Sequence, residues 1–233
     1  FRLDDDLRIF YEGTFFGLLN PFALLCGLLS VAMLVMHGAA WLVLKTDGAV
    51  AARARGYGSL AARATVGLFA VAGLALWVQA DGYRITSAID TVGPSNPLLK
   101  TVARDGAAWF ANYAAHPWTL VAPAAGFLGA LAALVGLRAR REVAALLASA
   151  LSIFGIIATV GVSMFPFILP SSIAPNAALT VWDASSSHLT LFIMLVVTVI
   201  FIPLIIAYTT WVYRVLWGKV DAAEINKEGG HAY

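Results

Sequence analysis

Charged side chains are scarce in this 233-residue sequence. Only 12% of the residues are Asp, Glu, Lys or Arg and 61% are apolar, whereas a soluble domain carries about 25% charged residues. The formal net charge is +2, and the basic residues are scattered between apolar blocks rather than gathered into the stripe that nucleic-acid binding requires. The composition therefore excludes an ordinary soluble domain and argues against a nucleic-acid partner.

Cysteine and the common catalytic motifs are also lacking. The single cysteine, Cys26, lies inside an apolar block, so neither a disulfide framework nor a CxxC metal site can form within the chain. We interpret Cys26 as a small buried residue. The sequence contains no glycine-rich nucleotide loop, no GxSxG motif and no HExxH motif, and it therefore gives no support for nucleotide binding or hydrolase chemistry.

Residues that could ligate a heme or carry protons inside a membrane are few. No Asp or Glu occupies the middle of a long apolar run, and His37 is the only ionisable residue well inside one. His116 and His188 lie at the ends of such runs, where they could together hold a metal or a heme. Because the four histidines show no paired spacing, we favour a hydrogen-bonded packing role for His37 and capping roles for the other two. We therefore predict no catalytic, cofactor-binding or metal-binding residue in this chain.

Long apolar runs, in contrast, are abundant. A membrane-spanning helix needs about 20 predominantly apolar residues, and five segments meet this requirement: 19–44, 64–79, 118–137, 143–165 and 189–213. The second segment is short and begins beside Arg63, whose long side chain can reach the headgroups. The sequence therefore predicts an all-α integral membrane protein with five transmembrane helices.

Loop charges predict how these spans are oriented. If the spans alternate in direction, ten basic residues fall in one set of loops and five in the other, and cytoplasmic loops carry the excess of Lys and Arg. This rule places the loop 45–63, the turn 138–142 and the tail 214–233 in the cytoplasm. It places the segment 1–18 and the loops 80–117 and 166–188 on the outer, periplasmic side.

Several residues near or inside the spans have ordinary structural interpretations. Ala125, Gly129 and Ala133 recur every four residues, a spacing that lets another helix approach closely. Asp183 precedes the last span in WDASSSHLTL, and we expect it to cap that helix. Pro203 lies inside the last span and removes one backbone donor. A transporter with a central substrate path is the alternative function, but it would need Gly or Pro breaks in paired spans, and only Pro203 fits that pattern strongly.

Three segments of the chain resemble one known family. The stretch SMFPFILPSSIAPNAALTVWDASSSHLTL, residues 163–191, resembles the signature region of subunit II of the bacterial cytochrome bd quinol oxidases. The stretch LLNPFALLCGLLSVAMLVMHGAAWL, residues 18–42, resembles an earlier helix of that family. DGYRI at 81–85 and NPLLK at 96–100 resemble its outer loop in the same order. The resemblance extends over residues 17–233.

This resemblance implies a fold and a set of motif residues. Subunit II has eight spans in two four-helix bundles, so this chain would hold the last five, and its first residue, Phe rather than Met, agrees with about three further spans upstream. We expect the motif residues to serve packing or the subunit interface. They are Asn20, Pro21, His37, Pro166, Phe167, Pro170, Asn176, Trp182 and Asp183.

The resemblance also implies a function. Oxidases of this family lie in the bacterial cytoplasmic (inner) membrane, oxidise quinol, reduce dioxygen to water and contribute to the proton gradient. Hemes b and d belong to subunit I, and subunit II ligates neither. Small accessory membrane subunits can attach, and whether a quinone or a lipid binds in subunit II stays open.

The carboxyl-terminal residues of the chain have two possible roles. Chains of this family can end in a tyrosine near the cytoplasmic proton entrance, which makes Tyr233 a candidate proton-entry contact. The alternative is that KEGGHAY is only a short, polar, glycine-rich tail.

Overall fold

The computed structural model describes residues 1–79, 81–93, 95–215 and 218–219. Within them, the α-helices are α1 (Pro21–Lys45), α2 (Gly48–Gln79), α3 (Ala108–Ala115), α4 (Val121–Arg138), α5 (Glu142–Met164) and α6 (His188–Val215). All of these except α3 are long and apolar enough to cross a membrane. The predicted all-α membrane fold with five spanning helices is confirmed.

The helix that contains the second predicted span begins much earlier than the sequence suggested. Residues 45–63 were predicted to form a loop, but α2 begins at Gly48, directly after a two-residue connection. The first half of α2 contains three arginines, which lower its hydropathy. It is also rich in alanine, which has the highest helix propensity, and Ala54, Ala61 and Ala62 pack into the bundle core. Hydropathy reports how readily a segment enters lipid, and it therefore missed the first half of this helix.

Helices α1, α2, α4 and α5 form a four-helix bundle with a core of small side chains. Met36 of α1 packs against alanines of α2 and α4. Gly129 of α4 lies so close to α5 that a Cβ there would be 2.5 Å from the backbone nitrogen of Ser152, and a Cβ on Gly155 would collide with the backbone of α4. The close helix approach predicted at Gly129 is confirmed, and small residues are what permit it.

Helix α6 stands apart from this bundle. No described residue of α6 is buried, and the helix continues through Pro203 without a break. Near its carboxyl end, the Tyr213 ring meets the Trp41 ring of α1 edge-on, with centroids 5.6 Å apart. Along most of its length, α6 therefore presents apolar side chains that nothing in the described chain covers.

The connections contain short antiparallel strand pairs. Strands β1 (Arg2–Leu3) and β2 (Ile9–Phe10) pair before α1. The connection from α2 to α4 contains β3 (Gly82–Ile85) paired with β4 (Val102–Asp105), and the connection from α5 to α6 contains β5 (Phe167–Leu169) paired with β6 (Leu179–Thr180). We call residues 81–93, 95–120 and 165–187 the loop platform. It lies where α2 and α5 end and where α4 and α6 begin.

Candidate functional site in the loop platform

A buried ion pair joins the two halves of the loop platform. Lys100 Nζ lies 2.6 Å from Asp183 Oδ2, and these side chains are only 3% and 11% exposed. Each partner makes one further hydrogen bond nearby, because Lys100 Nζ donates to the Pro97 carbonyl at 2.9 Å and Asp183 Oδ1 accepts from the Thr180 N–H at 2.7 Å. Such extra hydrogen bonds are what make a buried ion pair tolerable.

The predicted capping role of Asp183 was wrong. Helix α6 begins at His188, five residues after Asp183, and the side chain at its start that accepts a backbone hydrogen bond is Ser187, from the Thr190 N–H at 3.4 Å. The carboxylate of Asp183 turns instead toward Lys100. A distant lysine can outcompete a nearby helix end for a carboxylate, and only the tertiary fold brings that lysine close.

An apolar cluster lies beside the ion pair. Phe167 of β5 is buried against Val102 of β4, Ala178 and the partly buried Tyr83 of β3. The Asn176 side chain fastens the same strands, because its Oδ1 accepts from the Val102 N–H at 2.8 Å. Two of the motif residues, Phe167 and Asn176, thus connect the second half of the platform to the first.

The phenol of Tyr83 is affected by this environment. Burial raises the pKa of Tyr83, the nearby Arg104 guanidinium lowers it in part, and the Asp81 carboxylate raises it again. Its ring meets the Trp109 ring edge-on at 5.8 Å. Tyr83 is therefore a neutral packing residue at physiological pH.

Further motif residues of the platform contact their immediate surroundings. The Trp182 ring meets the Phe165 ring edge-on, with centroids 5.8 Å apart and an interplanar angle of 76°. The Pro166 carbonyl accepts from the Val181 N–H at 3.0 Å. These contacts close the return of the chain between α5 and α6.

Helix α3 fastens the platform to the end of α5. Asn112 Nδ2 donates to the carbonyls of Val162 at 2.8 Å and Phe165 at 2.6 Å, and the Tyr113 hydroxyl donates to the Thr159 carbonyl at 3.1 Å. The last four carbonyls of a helix lack partners within the helix, so Asn112 gives the Val162 carbonyl a partner that α5 itself cannot supply. Sequence reasoning missed Asn112, because a single asparagine in a predicted loop carries no signal of this role.

An apolar cavity of about 350 Å³ lies under the platform, between α1, α2, α3 and α5. Pro170 and Cys26 line it, as does Trp109 of α3. The Trp109 Nε1 atom is buried and has no hydrogen-bond partner among the described residues. The cavity interrupts the otherwise dense packing of the bundle at the platform end.

The remaining motif residues lie away from the platform ion pair. Asn20 caps α1 by accepting from the Ala23 N–H at 2.8 Å, and Pro21 is the first residue of that helix, where a missing N–H does no harm. His37 lies in the bundle, with its Nδ1 2.8 Å from Ser149 Oγ of α5. Tyr233 lies outside the described residues.

The Nδ1 nitrogen of His37 is engaged within the bundle by a hydrogen bond to Ser149. The Ser149 hydroxyl donates to the Leu146 carbonyl at 2.8 Å, so its lone pairs accept from the Nδ1–H of His37. Within the described part of the chain, no three His, Cys, Asp or Glu side chains form a group that could hold a metal ion. The contacts of the platform and of His37 hold helices and loops together.

Comparison with known proteins identifies the family. The family model for cytochrome bd terminal oxidase subunit II matches residues 2–216. The chain belongs to this family. A cytochrome bd-I ubiquinol oxidase subunit 2 from Escherichia coli strain K12 is 40% identical over all 233 residues, which cover 62% of that relative. A probable cytochrome oxidase subunit 2 from Haemophilus influenzae is 42% identical over the same length, which covers 61% of it.

The match to subunit II of the cytochrome bd family is collinear but partial. The chain spans about three fifths of the length of these curated relatives. The loop platform and the four-helix bundle both fall within the matched range 2–216. The family resemblance predicted from the three sequence segments is confirmed.

Proposed function

We propose that this protein is the non-heme-ligating subunit of a terminal respiratory oxidase that transfers electrons from quinol to dioxygen and forms water. The observation that carries this proposal is the family match across residues 2–216. The named relative from Escherichia coli acts as a ubiquinol oxidase subunit, and we extend the quinol oxidase role to this chain. In this proposal, quinol and oxygen are substrates of the complex, and the complex contributes to the proton gradient.

The hemes are proposed to belong to the partner. Hemes b and d would sit in subunit I and supply the electron-transfer chemistry, while this chain packs beside them. In this proposal His37, which lies well inside a span, serves packing by joining α1 to α5 through Ser149. Small accessory membrane subunits would attach to the same complex.

The structural role proposed for this chain is that of a membrane wall. The bundle of α1, α2, α4 and α5 buries its small faces internally, whereas no described residue of α6 is buried. We propose that α6 packs against the rest of the oxidase and helps to exclude water from the redox centres. An apolar, well-packed wall serves that purpose because water around a reactive centre opens side reactions.

The proposed location is the bacterial inner membrane, with the platform outside and the carboxyl terminus in the cytoplasm. The ends of α1, α4 and α6 and the beginnings of α2 and α5 carry most of the basic side chains of the described chain. Lys and Arg favour the cytoplasmic side. The platform lies at the opposite ends of these helices and would therefore be periplasmic. There its buried ion pair would support the outer surface of the complex.

Optical spectroscopy tests the division of labour. The chain purified alone should show no heme bands, and the chain purified with subunit I should show the full spectrum. His37→Gln should leave the heme content of the assembled oxidase unchanged. Heme bands from the chain alone, or a heme lost in His37→Gln with assembly intact, would refute the proposal.

Alanine scanning of α6 tests the wall role separately. Substitutions of Leu195 to Ile206, one at a time, should lower the yield of assembled oxidase along one face of the helix, with a repeat of three to four residues. That repeat follows from helical geometry. If all positions respond equally and weakly, α6 faces lipid on every side and the wall proposal fails.

A further inference from the structure

An apolar groove separates α6 from the bundle at the end opposite the platform. Its volume is about 390 Å³, and its walls are Trp41 of α1, Val143 and Leu146 of α5, and Tyr213 of α6. Lys45, the last residue of α1, and Lys219 lie at its end. We call this the lysine groove, and we propose that it binds an anionic phospholipid, with an acyl chain between the helices and the phosphate beside the two lysines.

The apolar walls define where the acyl chain would lie. The groove forms because Tyr213 touches Trp41 edge-on while the rest of α6 stays unburied. The walls belong to the ends of three helices that are long enough to span a membrane, so we expect the groove to lie where the hydrocarbon meets the headgroups. Trp and Tyr prefer the boundary between acyl chains and headgroups, so this pair marks the level at which a lipid would change from apolar to polar.

The two lysines define where the phosphate would lie. Lys45 Nζ lies 5.6 Å from the centre of the Trp41 ring and donates to the Gly218 carbonyl at 3.4 Å, which brings it close to the next residue, Lys219. Lys219 Nζ lies 3.0 Å from carboxylate oxygens of Asp47 and Glu142. Hydrogen bonding to Glu142 and then to Asp47 raises the pKa of Lys219, so this ammonium group stays charged at neutral pH.

The surrounding charge favours an anionic headgroup over a zwitterionic one. At this end of the described chain, the only carboxylates are those of Asp47 and Glu142. The basic side chains there are Lys45, Arg53, Arg55, Arg138, Arg140, Arg141, Arg214 and Lys219. Basic residues near a membrane surface attract anionic lipids, and eight basic side chains against two carboxylates leave an excess of positive charge.

Quenching of Trp41 fluorescence by brominated lipids tests the proposal in the assembled oxidase. The fluorescence of Trp41 is obtained by subtracting the emission of the Trp41→Phe variant from that of the unmodified oxidase, each reconstituted in nanodiscs. Phosphatidylglycerol with brominated chains should quench this signal at a lower mole fraction than phosphatidylcholine with the same chains. Lys45→Gln and Lys219→Gln should each reduce this preference about fivefold. Arg53→Gln, a charge at the same end that does not line the groove, should leave it unchanged.

Two outcomes would overturn the proposal. Equal quenching by the two lipids would mean ordinary solvation of the groove by any lipid. No quenching by either would mean that protein, such as the partner subunit or a further segment of the chain, fills the groove. Native mass spectrometry of the lipids that remain bound after detergent exchange gives an independent readout. The lipid proposal can fail independently of the proposed oxidase role, because neither the quenching experiment nor the mass spectrometry measures oxygen consumption or heme content.

Discussion

Lys100 and Asp183 are 83 positions apart in the sequence, and their side chains form a buried ion pair with a separation of 2.6 Å. The pair joins the connection before α4 to the connection before α6. A buried pair becomes a liability when one partner is removed, because the other charge stays in a poorly solvated place. The platform is therefore most vulnerable at these two residues.

Lys100→Met should destabilise the assembled oxidase by about 3 to 5 kcal/mol, measured as a lower unfolding temperature and a lower yield. The matched control is Arg84→Met, which breaks the Arg84–Asp105 pair of the same 2.6 Å length but with side chains that are 59% and 31% exposed. An exposed pair is worth at most about 1 kcal/mol. Equal losses of stability in the two variants would show that burial does not increase the contribution of the Lys100–Asp183 pair.

Stability should tolerate replacement of Asn176 only by a residue that keeps a hydrogen-bond acceptor for the Val102 N–H. Asn176→Ala leaves the partly buried Val102 N–H without its 2.8 Å partner, which should cost about 1 to 3 kcal/mol. Asn176→Asp retains an oxygen at that position and should be milder. Thermal unfolding of both variants checks this, and a ranking in the opposite order would mean that the side chain acts through something other than this hydrogen bond.

Gly155→Ala should separate α4 from α5. The added methyl group would meet the backbone of α4, which cannot move aside as a side chain can, so we expect a destabilisation of about 1 to 3 kcal/mol. Gly161→Ala lies on the same helix, where an added Cβ would meet nothing within 4 Å, and it should be tolerated. Comparable yields of assembled oxidase from both variants would contradict the close approach of these helices.

Alkaline pH should weaken the platform through Tyr83. Burial raises the pKa of Tyr83 in the folded protein, so its contribution to stability is complete below the unfolded value of about 10 and is lost as the pH rises through the folded value. The unfolding temperature of the unmodified oxidase should fall in this range more than that of Tyr83→Phe. The same alkaline loss in both proteins would assign it to other groups.

Much of the architecture could be predicted from the sequence because the membrane imposes strong rules on composition. A bilayer requires about 20 apolar residues for each spanning helix, and this requirement identified all five long helices. It failed at the start of α2, where alanines that favour a helix are mixed with arginines that reduce hydropathy. The family followed from three local segments, and this needed no knowledge of which residues touch.

Only the tertiary structure decided how the motif residues are used. Asp183 had a local explanation as a cap, and it pairs instead with Lys100, which no spacing rule connects to it. His37 was expected to have a hydrogen-bonded packing role, and Ser149 of α5 supplies the partner that the sequence could not name. A sequence determines which segments prefer lipid and which form helices, because those preferences are local. The partners of a lysine, a histidine or a carboxylate depend on contacts between distant segments, and these exist only once the helices have packed.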